Sequence, residues 1–127
     1  MSIYIREGVR EDLPEVVAMI KELADYERAL DEVNITVDEL ERDGFGNHPY
    51  FWILIAEIDG EIAGLAFYFI RYSTWKGETL HLEDLIVTKN MRNMGIGALL
   101  LDKVILFGKE MGVKRITWEV IDWNKKA

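Results

Sequence analysis

The stretch Arg92-Asn93-Met94-Gly95-Ile96-Gly97 lies between two segments of opposite character. Before it runs Leu80-His81-Leu82-Glu83-Asp84-Leu85-Ile86-Val87, rich in apolar and β-branched residues and strand-like. After it, Ala98 to Met111 carries apolar residues at helical spacing. A glycine loop at a strand-to-helix junction brings free backbone N–H groups and the positive end of the helix dipole to one point. Glycine also lets the main chain approach a phosphate with no Cβ in the way. The pattern therefore predicts a cradle for a phosphorylated cofactor. The lesser reading of the loop taken alone is a glycine-marked turn that binds nothing. The lysine and hydroxyl residue of a nucleoside-triphosphate P-loop are missing. So is the third glycine of a dinucleotide fingerprint, and the loop stands late in the chain rather than in a first βαβ unit.

Working outward, Ile3 to Arg6 alternates as a first strand. Asp12 can cap a helix with Pro14 in its first turn, and Leu13, Val16, Val17, Ile20, Leu23 and Ala24 follow a helical stripe. Thr36-Val37-Asp38-Glu39 matches a capping box and predicts a short helix towards Asp43. Gly44 to Pro49 reads as a loop. Phe51 to Ile58 and Glu61 to Arg71 read as strands joined by an Asp59-Gly60 hairpin turn. Leu80 to Val87 is the next strand. Gly112 ends the helix that follows the glycine loop, and Val113 to Ile121 is a last strand. This order predicts one α+β domain over residues 1–127, a mixed sheet with helices on its faces. No repeat, linker or low-complexity segment interrupts it.

Composition narrows the function. A chain of 127 residues has room for one modest core, and half its residues are hydrophobic. The net charge of −8 argues against a nucleic-acid partner and suits a cationic substrate. With no cysteine there is no disulfide framework, no thiolate metal site and no cysteine nucleophile. Two histidines make a histidine-based metal site an unexpected reading, and none is assigned. The amino end lacks a signal-peptide layout and no apolar run reaches membrane-spanning length, so the expected location is the cytoplasm, away from membranes.

The pattern R-x-x-G-x-G after a strand resembles the acetyl-coenzyme A loop of the GNAT acetyltransferases. Four further segments share the resemblance: Ile20 to Glu27, Asp43 to Pro49, Leu82-Glu83-Asp84-Leu85 and Asp122-Trp123-Asn124. Together they resemble the diamine branch of that superfamily, which holds the spermidine/spermine and thialysine acetyltransferases. The resemblance spans nearly the whole chain. It implies a three-layer α/β/α arrangement around a mostly antiparallel sheet that splays open near its centre, with acetyl-coenzyme A in the opening. It implies that Arg92, Asn93, Met94, Gly95, Ile96, Gly97 and Ala98 hold the pyrophosphate. The main chain of Leu85, Ile86 and Val87 would pair with the pantetheine arm, and Asn124, Lys125, Lys126 and Ala127 would lie beside it.

Acetyl transfer to an amine requires a base, because an ammonium has no lone pair and a simple amine has a pKa of roughly 10. The resemblance makes Glu83 that base. Two adjacent acids in an apolar strand are expensive to bury without a purpose, though either could be a paired structural carboxylate. Asp84 points to the opposite face from Glu83 in an undistorted strand; a bulge would change that. By resemblance, Tyr26, Glu27, Trp75, Trp118 and Glu119 line the acceptor side. Read without it, Tyr26 and Glu27 are a solvated helix end, and Trp118 and Glu119 are ordinary strand alternation. Ser73-Thr74 stands where polyamine enzymes carry an acid before the tryptophan, which leaves a smaller amine or a lysine-like amino acid as acceptor. His48 and His81 receive no role.

Family members continue past the position of Ala127 with a helix bearing a general-acid tyrosine and two further strand-forming segments. Their absence from this sequence leads to two expectations: impaired activity, and an exposed sheet edge that drives self-association into a homodimer. The leading reading is direct acetyl transfer from acetyl-coenzyme A to a small cationic amine, a diamine, polyamine or lysine analogue. The alternatives are a cofactor-binding module or partner subunit, and a protein or peptide N-acetyltransferase.

Overall fold

A computed structural model of the chain describes residues 2–92 and 94–118. One five-stranded sheet runs in sequence order: β1 (Ile3–Glu7), β2 (Trp52–Ile58), β3 (Glu61–Ser73), β4 (Gly77–Val87) and β5 (Arg115–Trp118). The helices are α1 (Leu13–Tyr26), α2 (Val37–Gly44) and α3 (Ile96–Met111). Neighbouring strands from β1 to β4 are antiparallel, whereas β5 joins β4 in parallel, as a strand returning through a crossover helix does. The expected α+β architecture, a mixed and mostly antiparallel sheet with helices on both faces, is the one observed.

Strand alternation divides the core in two. Leu54, Ala56, Ala66, Tyr68, Leu80 and Leu82 face α3, where they meet Ile96, Leu100 and Val104. Ile53, Ile55, Leu65 and Ile86 face α1 and α2, where they meet Leu13, Val16, Val17, Met19 and Leu40. Burying both faces of the central strands explains why β2 and β3 are almost continuously apolar.

Local chemistry explains most of the boundaries. Asp59 and Gly60 both have positive φ, 52° and 84°, as a tight two-residue hairpin needs. Thr36 Oγ1 accepts from Glu39 N–H at 3.1 Å and starts α2. The return arm of the expected box differs: the Glu39 carboxylate accepts from the Thr36 hydroxyl, at 3.1 Å. β4 begins at Gly77, three residues before the sequence reading, because Gly77 to Thr79 complete the hairpin with Arg71 to Ser73. Helix α3 begins at Ile96 rather than Ala98, with Gly95 as N-cap at φ 79°.

Asp12 stands at the N-cap of α1 but does not cap it. Its carboxylate accepts the Val9 N–H at 2.7 Å and a two-point contact from Arg6 at 2.7 and 2.9 Å. Arg6 also pairs with Glu57 of β2. A two-point, charge-assisted pair outcompetes a single cap bond. The Arg6 guanidinium holds the Asp12 carboxyl below the usual carboxylate range, against the opposing effect of burial. Among the described residues no helix is long and apolar enough to cross a membrane.

Candidate active site

The decisive local feature is a bulge in β4. Phe67 of β3 pairs with Asp84, and the next residue, Tyr68, pairs with Leu82. Glu83 is therefore the extra residue, without a partner on β3. Leu80 and Leu82 point to the α3 side, so Glu83 points to the α1/α2 side. The inserted residue resets the alternation, and Asp84 and Ile86 follow on that same side. The undistorted-strand expectation for Asp84 is thus corrected: both acids face one cavity.

That cavity has a volume of about 310 Å³. Ile20, Ile35, Leu40, Phe51 and Phe67 make its walls, and Asp43, Tyr50, Glu83 and Asp84 supply its polar atoms. Phe51 and Phe67 stack with centroids 4.4 Å apart, forming an aromatic wall against the acids. Burial, reinforced by the negative charges of Glu83 and Glu27, pushes the Asp84 carboxyl up to about 6. Glu27, at the end of α1, is also raised, by burial. Glu83 stands nearer solvent, with 54% of its side chain exposed, and its Oε1 lies 3.7 Å from His81 Nε2. Negative charge thus collects at this part of β4, on Glu83 and Asp84, with Glu27 near enough to act on Asp84.

At the far end of β4, the chain turns through Lys89–Met91 and enters α3 at Gly95. Leu99 N–H bonds back to Gly95 O at 3.1 Å. The amides of Ile96, Gly97 and Ala98, ahead of that bond, have no helical acceptor available. A Cβ on Gly95 would meet nothing within 4 Å, and one on Gly97 would come no nearer than 3.8 Å to Val87. The backbone at this helix entry is open to an anionic group. Arg92 Nε donates to Val87 O at 3.3 Å and ties the loop to the end of β4. Among the described residues, β5 pairs with β4 from Thr79 to Leu82.

Residues 14–127 match the Acetyltransferase (GNAT) family. The chain belongs to that family. It is 40% identical to the thialysine N-epsilon-acetyltransferase of Sus scrofa over 134 residues, covering 99% of this chain and 79% of that one. It is 36% identical to the human spermidine/spermine N(1)-acetyltransferase-like protein 1, covering 97% of this chain and 19% of that one. Among solved structures, an aminoglycoside acetyltransferase from an uncultured soil metagenomic sample, in complex with trehalose, superposes with a TM-score of 0.79 at 18% identity. That match covers 98% of this chain and 81% of the other, and it concerns the fold. The family and these relatives make the chain an acetyltransferase of the diamine and thialysine branch.

Within this acetyltransferase, Glu83 lies at the cavity and Glu27 is close enough to raise Asp84. Tyr26 is half-exposed beside Glu27, at the end of α1. Leu85, Ile86 and Val87 finish β4, and Met94, Gly95, Ile96, Gly97 and Ala98 form the entry to α3. Trp118 is half-exposed opposite Leu82. Trp75 is not brought to the cavity. It is 91% exposed at the tip of the β3–β4 hairpin, and the strand from Gly77 to Glu83 alone spans roughly 20 Å. Asn93, Glu119, Asn124, Lys125, Lys126 and Ala127 lie outside the described residues. Sequence reasoning missed the cavity-facing role of Asp84 and the contributions of Asp43 and Tyr50. The acid pair was the visible signal for Asp84; nothing in the sequence placed the loop after α2 beside β4.

Proposed function

We propose that this acetyltransferase moves an acetyl group from acetyl-coenzyme A to a primary amine on a short aliphatic chain, a lysine analogue or small diamine. The observation that carries the reading is the bulge that turns Glu83 and Asp84 into one cavity with an apolar floor. An ammonium group entering it meets negative charge from Glu83, Asp84 and Glu27. Its methylene chain rests on Phe51, Phe67, Leu40 and Ile20. Glu83, the more hydrated of the two cavity acids, accepts the proton the amine must lose, directly or through one water. Asp84 keeps the cation in place while that transfer occurs. Bound acetyl-coenzyme A supplies the activated acyl group.

Residues 85–87 and 92–98 would hold that carrier, with the amides of Ile96, Gly97 and Ala98 on its pyrophosphate. The open faces of Gly95 and Gly97 fit such a group. The absence of cysteine favours direct attack over a thiol-bound intermediate. A lysine-like acceptor is favoured over a long polyamine by the thialysine-acetylating relatives and by Ser73-Thr74 in place of an acid before Trp75.

The test is release of free thiol from acetyl-coenzyme A with thialysine, lysine, putrescine, spermidine and a lysine-containing peptide. Highest kcat/KM is expected for thialysine or lysine. Thiol release with the peptide alone, or with none of the five, would overturn the reading.

A further inference from the structure

Beside the cavity, β4 carries a buried polar stripe that the chemistry above does not use. Thr79 and His81 lie on the same face as Glu83, 0% and 3% exposed. The His81 ring packs against Phe69 with centroids 5.3 Å apart. Its Nδ1 lies 2.7 Å from Thr117 Oγ1, on the neighbouring strand β5, in direct register with His81. Its Nε2 faces Glu83 Oε1 at 3.7 Å.

We infer that His81, oriented by Thr117, is a positioning residue for Glu83. This rests on the reading of Glu83 as the base. The two ring nitrogens of a neutral imidazole differ: one carries the proton and the other accepts. When the Thr117 hydroxyl donates to Nδ1, the proton must sit on Nε2, which aims an N–H at the Glu83 carboxylate. The opposite tautomer would set two lone-pair-bearing atoms against each other. The acceptor-only Glu83 carboxylate favours the Nε2–H tautomer, and the Thr117 hydroxyl, able to donate or accept, matches it by donating to Nδ1 and holds the ring in place. At 3.7 Å the contact is longer than a hydrogen bond, and a small rotation of the half-exposed Glu83 side chain closes it; such bonds commonly tighten when substrate binds.

Energetic reasoning points the same way. A leucine or phenylalanine at position 81 would satisfy the surrounding core at least as well as an imidazole that requires a buried partner. The bulge frees Glu83 from its cross-strand neighbour, so its direction is fixed by side-chain contacts instead of ladder geometry. His81 is the side chain behind it on the same face. Held from one side, the carboxylate keeps its other oxygen towards the amine.

A double-mutant cycle tests this. Steady-state kinetics with acetyl-coenzyme A and the best small amine are measured for the wild type, His81→Phe, Glu83→Gln and the double variant. His81→Phe is expected to lower kcat about tenfold with the amine KM changed by less than about twofold. In the Glu83→Gln background the same change should have no further effect, because a group acting through Glu83 has nothing left to position. Equal loss in both backgrounds would overturn the inference, as would full kcat in His81→Phe when Glu83→Gln is impaired. Full activity in Glu83→Gln would instead overturn the underlying assignment of the base, and this inference with it. Thr117→Val against Thr117→Ser provides a milder arm if His81→Phe does not fold. The serine variant should retain kcat and the valine variant should lose several-fold; equal kcat in the two would refute the tautomer argument.

Discussion

Glu83 and Asp84 are consecutive on one strand, yet both open into the same cavity. A regular strand would have sent one of them into the α3-side core, where an unpaired carboxylate would be costly. The bulge removes that cost and concentrates two negative charges on one side. It also makes the two acids unequal. Glu83 keeps contact with water, whereas Asp84 is desolvated enough to rise to about 6.

The first prediction concerns this inequality. Glu83→Gln preserves shape and removes the proposed proton acceptor. It should lower kcat by about 10²- to 10⁴-fold near neutral pH. Because the side chain is half-exposed and has no partner on β3, stability should move by no more than about 0.5 kcal/mol. Initial rates of thiol release, together with a urea unfolding curve, check both halves.

Asp84 carries a stability signature with a defined sign. Its carboxyl is raised in the folded protein, by burial first and then by Glu83 and Glu27. Between the ordinary carboxylate pKa of roughly 4 and the folded value, the native state holds more protons than the unfolded chain. Stability from this group therefore falls as pH rises across that window. Replacing Asp84 with Asn removes the charge that burial opposes. The variant should match the wild type near about pH 4 and exceed it by about 2 kcal/mol at about pH 7.5. Urea unfolding at the two pH values decides the matter; an equal difference at both would refute it.

Much of this was legible beforehand, and the exceptions share a cause. The glycine loop, the Asp59-Gly60 hairpin and the Thr36 cap were visible because each depends on residues close in sequence. The acid pair was visible too, but its geometry was not, since alternation alone predicts opposite faces. A bulge is decided by how β4 meets β3, and only the paired strands reveal it. Asp12 failed in the same manner: it has the residue type and position of a cap, but Arg6, brought alongside by the strand before it, claims the carboxylate. His81 and Thr117 are 36 residues apart and carry no joint signature in the sequence.

The Arg6–Asp12 pair should matter more than surface ion pairs do. Asp12 is 7% exposed, and its carboxylate serves both Arg6 and the Val9 N–H. Asp12→Ala would leave the Val9 amide and the Arg6 Nη groups without their acceptor, with Glu57 still holding Arg6 Nε, at a cost of roughly 2 kcal/mol. The Asp12 carboxyl is depressed in the folded state, first by its hydrogen bond to Arg6. Its contribution is therefore complete above the unfolded pKa of roughly 4 and is lost as pH falls through the lower folded value. Unfolding curves should show the wild type and Asp12→Ala converging at the acid end. A constant gap down to the acid transition would count against the pair. By contrast, the exposed Arg42–Asp43 pair should be nearly silent to Arg42→Ala.

Two glycines test how closely the sheet is coupled to the proposed cofactor cradle. Gly64 on β3 is buried, and a Cβ there would lie 2.9 Å from Ile86 O and 3.1 Å from Ile96 Cγ2. The first neighbour is backbone of β4 and cannot yield without moving the strand; the second is the first residue of α3. Gly108, inside α3, would place a Cβ 2.8 Å from Ile116 Cδ1, the free end of a flexible side chain. Alanine at 108 also gains about 1 kcal/mol of helix propensity, which offsets the contact. Gly64→Ala is therefore expected to cost about 2 kcal/mol and to weaken acetyl-coenzyme A binding, because relieving the strain shifts β4 or the first turn of α3. Gly108→Ala should stay within about 1 kcal/mol of the wild type and bind the carrier normally. Denaturant unfolding and titration calorimetry on both variants separate a local packing effect from a displaced cradle. If Gly64→Ala loses stability but binds the carrier with unchanged affinity, the proposed link between the β3–β4 contact and the helix entrance is wrong.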